Sequence, residues 1–216
     1  MDKVSMISSV AASLDEGERK EDILDAMMKV DRKHFLDDPH PYEDMAQPIG
    51  EGQTISQPST VGVMLQLAAV ERGQSILEVG SGSGWNACLL AYLAAPGDVL
   101  SVDVKASLVE RAKKNKQSLE QQTNLELSNL RFEKKNVIEI EGSFDRVIIT
   151  AGIMPDQEEM ADKLAARLLK DEGLLLCPQS SGPMLIVRKE GSILRSWQTK
   201  EQFAFVPLLL GDEGSS

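Results

Sequence analysis

Between Ile76 and Leu90 the chain reads ILEVGSGSGWNACLL, an apolar strand running directly into Gly80-Ser81-Gly82-Ser83-Gly84 and out into an apolar helix. Few folds accommodate that junction. A strand with no polar alternation is covered on both faces, which is the condition of a parallel sheet between helix layers. Glycines at every second position let the backbone turn sharply and approach a ligand with no Cβ in the way. The helix that follows aims unpaired N–H groups and its positive end at that ligand. Glu78 precedes the loop, giving E-x-G-x-G-x-G. This spacing is neither the GxGxxG of dinucleotide-binding folds nor the GxxxxGK[ST] of phosphate-binding P-loops.

Strands and helices alternate downstream. Ser75 to Val79 reads as a strand, Trp85 to Ala95 as a helix, Val99 to Val104 as a strand and Ser107 to Gln121 as a helix. Leu130 to Lys134 and Phe144 to Thr150 (FDRVIIT) follow as strands, Gln157 to Leu169 as a helix and Leu174 to Cys177 as a strand. Met184 to Val187 and Ile193 to Trp197 form a hairpin around KEGS, and FAFVPLLL, Phe203 to Leu210, reads as a closing strand. Such a pattern predicts an α/β domain: an open, mainly parallel sheet with helices on both faces and an antiparallel edge hairpin.

Upstream, residues 1–16 are weakly periodic, a short helix or a disordered segment. Glu18 to Val30 is amphipathic, with Ile23, Leu24, Met27 and Met28 at helical spacing. Asp31 to Ser59 contains Pro39, Pro41, Pro48, Pro58, Gly50 and Gly52, and is too long for a plain connection. It also holds Phe35, Tyr42, Met45 and Ile49, which favours an ordered loop laid over the domain. The expected organisation is one domain, with an extension over residues 1–59 and an α/β core over residues 60–216.

Asp103 ends the strand after the glycine loop, about nineteen residues beyond Gly84. A carboxylate at that tip can accept hydrogen bonds from the two hydroxyls of a ribose, so the loop suits a nucleoside cofactor. Nicotinamide binding is the second reading, disfavoured by the glycine spacing. The formal net charge of −11 repels phosphate backbones and anionic lipid, and argues against nucleic acid or a membrane as partner. The basic run Arg111 to Lys116 reads as a solvated helix face. Cys88 and Cys177 lie in apolar runs and read as buried thiols, and His34 and His40 lack metal-ligand spacing. With no signal-peptide pattern and no apolar run of membrane-spanning length, the default location is the cytoplasm.

Strand, E-x-G-x-G-x-G, helix, strand and terminal Asp together resemble the Rossmann-like class I S-adenosylmethionine-dependent methyltransferases. The resemblance implies Gly80, Ser81 and Gly82 around the cofactor, Glu78 near its methionine amino end and Asp103 on its ribose. Upstream, VDRKHFL and PYEDMAQPIGEGQTISQP resemble the protein-L-isoaspartate (D-aspartate) O-methyltransferases, repair enzymes that methylate the abnormal carboxyl of isoaspartyl residues. The matching positions are Val30-Asp31-Arg32, Phe35, Tyr42, Asp44, Pro48-Ile49-Gly50 and Gln53-Thr54-Ile55-Ser56-x-Pro58, with FDRVIITAG and FVPL downstream. They implicate Gln53, Thr54 and Ser56 in the cofactor and acceptor site, S-adenosylmethionine as methyl donor with S-adenosylhomocysteine as product, and isoaspartyl proteins as partners.

The chemistry suits these residue types. A carboxylate is already ionised at neutral pH and attacks a sulfonium methyl without a general base, so placement in a dry site is what helps. A hydroxyl such as Ser56 orients a carboxylate without neutralising it, whereas a lysine would hold it as an ion pair. Ser56 is therefore expected to position the reactants and not to act as a covalent nucleophile. The structural alternative for TISQPS is a helix cap by Ser56 or Thr60. Tyr42 and Asp44 serve either loop packing or substrate contact. Two stretches depart from the family pattern: Asn136-Val137 stands where an acid and a glycine hold adenine, and Pro178-Gln179-Ser180-Ser181-Gly182-Pro183 replaces a Pro-Val-Gly run. These departures leave two further readings open, a methyltransferase acting on RNA or a small molecule and a non-catalytic binder.

Overall fold

A computed structural model describes residues 1–154 and 157–211. Residues 212–216, where the expected core range ends, lie outside the described residues. The buried strand that leads into the glycine loop has two parallel strands on each side. This strand, β3 (Ile76–Val79), pairs with β4 (Val99–Asp103) on one side and β6 (Phe144–Ile149) on the other. β5 (Leu130–Lys134) extends the sheet beyond β4, and β7 (Leu169–Pro178) extends it beyond β6. An antiparallel hairpin, β9 (Met184–Glu190) and β10 (Ile193–Gln198), completes the order β10-β9-β7-β6-β3-β4-β5. The strand order reverses between β3 and β6, and open α/β sheets bind ligands at the carboxyl ends of strands at such a point.

Helices cover both faces. One face carries α1 (Lys3–Ala12), α2 (Glu18–Lys29), α3 (Pro58–Ala68), α4 (Trp85–Ala94) and α5 (Ala106–Gln122). The other carries α6 (Glu158–Leu168), whose Leu164, Ala165 and Leu168 share a core cluster with Val147, Leu175 and Val187. α4 is apolar nearly all round because α2, α5 and the sheet all pack on it. Among the described residues no helix is long and apolar enough to cross a membrane.

Three expectations change. The weakly periodic start of the chain is a helix: Asp2 caps α1 by accepting from Ser5 N at 2.8 Å, and Met6 and Val10 are wholly buried. Gly62 of α3 makes room for it, since a Cβ there would stand 2.6 Å from Val10 Cγ1. Periodicity was weak because α1 turns so few apolar residues inward and lines its outside with serines. The strand expected over Leu174 to Cys177 begins at Leu169, straight from the end of α6.

FAFVPLLL is not a strand of the main sheet. Only Phe203–Ala204 (β11) pairs, with the short β8 (Ser181–Gly182). The tail then bonds to loops, Gly152 N donating to Val206 O at 2.7 Å and Leu208 N to Gly152 O at 2.8 Å. Pro207 lacks the N–H that a continuing ladder would need, and its strand-like apolar composition serves to cover the carboxyl ends of the sheet.

If α1 belongs to the core, Met6→Ala will cost about 2–5 kcal/mol of unfolding free energy. Urea denaturation measures this, and a loss below about 0.5 kcal/mol, the size expected of a surface position, would make α1 peripheral.

Candidate active site

The loop from Asp31 to Ser59 is organised by one side chain. Arg32 opens a short 3₁₀ turn after α2 and is wholly buried. Its Nη1 donates to Pro41 O at 2.6 Å, Glu43 O at 3.3 Å and Gln47 Oε1 at 2.9 Å. Its Nη2 donates to Met45 O at 3.2 Å and Ser56 O at 3.1 Å. The guanidinium lies over Trp85, 5.3 Å from the ring centroid, and Trp85 Nε1 donates to Val30 O at 3.0 Å. Burial lowers the Arg32 pKa to about 10, so the group stays charged at neutral pH.

Within that loop β1 (Gln47–Gly50) and β2 (Gln53–Ile55) form an antiparallel hairpin. Its tip is fastened beyond the end of β4: Lys105 Nζ donates to Glu51 O at 3.0 Å, and Ser107 Oγ to Glu51 Oε1 at 3.0 Å. The structure also decides what caps α3. Neither Ser56 nor Thr60 does so. Asp44 Oδ1 accepts from Ser59 N at 2.8 Å, and its other oxygen accepts from Ser59 Oγ and Gln57 Nε2. Tyr42 is likewise structural, donating to Asp31 Oδ1 at 3.0 Å.

With α3 capped from a distance, the Ser56 side chain is left for the cleft. Gln53, Thr54 and Ser56 form one wall, and Gly80, Ser81, Gly82 and Asp103 form the other. Trp85, Val61, Met64, Leu108 and Val206 supply its apolar surface. The Thr54 and Ser56 hydroxyls make no hydrogen bond to any described residue, so both face a ligand unspent. Among the described residues no lysine, arginine or histidine lines this cleft, and Asp103 is its only ionisable acid.

The glycine loop is shaped by close packing. Gly80 sits at φ +104°, and a Cβ there would stand 2.4 Å from Thr150 Oγ1, which donates to Gly80 O at 2.7 Å. Gly84 sits at φ +86° against Ala112 of α5, with a Cβ-to-Cβ approach of 2.9 Å. Asp103 steadies the loop, its Oδ2 accepting from Gly82 N at 3.1 Å and its Oδ1 from Lys105 N at 3.0 Å. Burial raises its pKa, against the hydrogen bonds that lower it.

Glu78, expected from the resemblance near the methionine amino end, does not face the cleft directly. It is wholly buried beneath the loop and lines no part of the cleft. Asn86 Nδ2 donates to its Oε1 at 2.8 Å and Ser101 Oγ to its Oε2, while Ser101 also bonds Ser81 at 2.7 Å between the two oxygens. Glu78 thus ties β3, β4, the loop and α4 together from below.

A second recess adjoins the cleft, sharing Gln53, Gly80, Asp103 and Leu108 and continuing to Val137 and Leu208. Val137 lines this recess. Asn136 does not line it: its Oδ1 accepts from Ile138 N at 3.1 Å and its Nδ2 donates to Leu210 O, a turn and tail anchor. A third, neutral groove meets the cleft at Thr54, Ser56, Thr150 and Val206, and runs out past Gln57, Thr60, Phe203 and Phe205. Sequence reasoning missed the Arg32 hub, Trp85 and the tail residues of the cleft wall. Arg32 and the FVPL residues had been noted only as matching positions.

Comparison with known proteins gives one consistent result. The family model described as protein-L-isoaspartate(D-aspartate) O-methyltransferase matches residues 8–213. A protein-L-isoaspartate O-methyltransferase from Pyrococcus horikoshii is 33% identical, covering 91% of this chain and 88% of its own. That of Chlorobaculum parvum is 36% identical, covering 92% and 88% respectively. In fold, the chain is similar to a Plasmodium falciparum structure described as a protein-L-isoaspartate O-methyltransferase in complex with S-adenosyl-L-homocysteine. The TM-score is 0.83 at 20% identity, covering 98% of this chain and 100% of that one.

Glu78 gives the site a pH signature. Burial raises its pKa from 4.5 to about 7. The folded chain therefore holds a proton that the unfolded chain has released, and stability falls as pH rises from about 4.5 through 7. Glutamine fits the same place, because Asn86 Oδ1, buried without a partner, can turn to accept from the new amide. At pH 8, Glu78→Gln will be the more stable form by on the order of 1–3 kcal/mol, the gap closing towards pH 5. Denaturant titration of both proteins at the two pH values checks this; a gap independent of pH would give Glu78 an ordinary carboxylate titration.

Proposed function

For a chain that belongs to the protein-L-isoaspartate(D-aspartate) O-methyltransferase family, we propose the hairpin cleft as the place where methyl transfer to the free carboxyl of L-isoaspartyl residues occurs. The activity is an S-adenosylmethionine-dependent carboxyl O-methylation that repairs damaged proteins. The observation that carries the placement is the meeting, in one cleft without a basic side chain, of two unspent hydroxyls, the glycine loop and Asp103.

The residues present suit the cofactor. A pyrophosphate would find no cation in the cleft, whereas a sulfonium nucleoside suits a wall whose one charge is a carboxylate. Each Asp103 oxygen already accepts one backbone N–H and keeps acceptor capacity for a ribose hydroxyl. Gly80, Ser81 and Gly82 would hold the cofactor from the sheet side, with Gln53 and Thr54 from the hairpin and Val137 in the adjoining recess. When bound, S-adenosylmethionine supplies a methyl group activated on sulfur.

Everything else falls to the chain. Ser56 stands where the cleft meets the neutral groove, so its hydroxyl would orient an acceptor carboxylate arriving along that groove. Among the described residues no lysine lines the cleft to neutralise that carboxylate, and no general base is required of the site. Val61, Met64, Trp85 and Val206 limit water, which keeps the carboxylate poorly solvated and reactive. In this reading residues 1–59 are the acceptor-side cover of a single domain whose cofactor core follows from residue 60.

An isoaspartyl peptide and its aspartyl twin, incubated with labelled S-adenosylmethionine, test the acceptor. Label is expected in the isoaspartyl peptide alone; equal labelling of both, or of neither, overturns the reading. Ser56→Ala should lower kcat by about tenfold to a hundredfold, the scale of a misplaced reactant. Calorimetry should find its affinity for S-adenosylhomocysteine nearly unchanged, and a loss confined to cofactor affinity would remove Ser56 from the acceptor side.

A further inference from the structure

Methyl transfer needs the acceptor wall held at a set distance from the cofactor wall, and resting on that reading one asks what holds it. Among the described residues no hydrogen bond joins Gln53–Gln57 to Gly80–Trp85. The link is Arg32. On one side its guanidinium takes the carbonyl of Ser56 with those of Pro41, Glu43 and Met45 and the amide oxygen of Gln47. On the other it lies on the ring of Trp85, which opens α4 directly after the glycine loop and is itself a cleft wall.

We propose that Arg32 is a positioning residue for methyl transfer. Through the Ser56 carbonyl and the Trp85 ring it sets the acceptor wall against the cofactor wall, and so couples occupancy of one to binding at the other. A guanidinium here satisfies the loop carbonyls at the cost of desolvating a charge. What only a guanidinium offers is a flat face for the ring and a fork of donors in one plane for the loop. Lysine keeps the charge and loses both features, which makes Arg32→Lys the informative variant.

The experiment uses the full chain and measures the affinity of an isoaspartyl peptide by calorimetry, with and without saturating S-adenosylhomocysteine. In the wild type the peptide should bind at least about fivefold tighter when the cofactor product is present. In folded Arg32→Lys, S-adenosylhomocysteine affinity should stay within about threefold while the coupling falls below about twofold, and kcat should drop at least tenfold. A residue that merely stabilises the loop would lower the melting temperature and leave the coupling intact. Should Arg32→Lys not fold, Trp85→Leu, which removes the ring and keeps the carbonyl contacts, must show the same loss of coupling. Wild-type coupling in the variant, or none in the wild type, overturns the role of Arg32. A wild type that neither binds nor methylates the isoaspartyl peptide overturns the reaction assignment and this role with it.

Discussion

A cation removed from water and given no carboxylate to touch is the constraint around which the front of this molecule is built. Withdrawing the Arg32 guanidinium from solvent costs several kcal/mol unless its protons find acceptors. The chain meets that demand at both Nη atoms, mainly with backbone carbonyls from a loop that has little regular structure of its own, while Nε finds no partner among the described residues. The dependence runs both ways. Prolines and glycines between residues 39 and 58 leave carbonyls that no helix or sheet would use, and Arg32 collects them. An ordered, irregular loop and a buried arginine are one solution to two problems of unsatisfied polarity.

Behind the loop, two carboxylates at the ends of adjacent strands take different work from different surroundings. Glu78 is enclosed, bonded only to side chains, and its pKa is pushed up to about 7. Asp103 is enclosed on one side and takes backbone N–H bonds from Gly82 and Lys105, so its charge is partly supported. A like charge at Asp103 is one of the causes raising Glu78, which means the two do not ionise independently. The outcome is a structural acid below the loop and a ligand-facing acid at its edge. A strand-end acid before a glycine loop could have taken either part, and burial decides between them.

Much of the fold was legible because its signals are local. Strand, glycine loop and helix at Ile76 to Leu90 state their own geometry, and Asp103 at a strand tip states its direction. Gln53, Thr54 and Ser56 were also legible, as part of a family-specific run. What escaped were relations between distant residues. Asp44 capping α3 spans fifteen positions, and nothing local to Asp44 announces it. Asn136, expected from its position to hold adenine, spends its side chain on a turn N–H and the Leu210 carbonyl, a partner seventy-four positions away. The tail FAFVPLLL has the composition of a strand, and only the end of the sheet, where loops await cover, makes it a wall of the site.

The placement of charge follows from the same economy. A chain of net charge −11 must admit a carboxylate acceptor, and a uniformly acidic site would repel it. The groove that reaches Ser56 is lined mainly by threonine, glutamine, phenylalanine and alanine, and among the described residues by no charged side chain. Its neutrality lets the acceptor approach without attraction strong enough to pair and quench it. Two lysines line the adjoining recess: Lys105 is held by Glu51 at the hairpin tip, which keeps the hairpin down, and Lys135 lies 3.9 Å from Glu133. The ion pair that holds the hairpin tip also engages Lys105, so closure of the hairpin occupies one of the two cations beside the site.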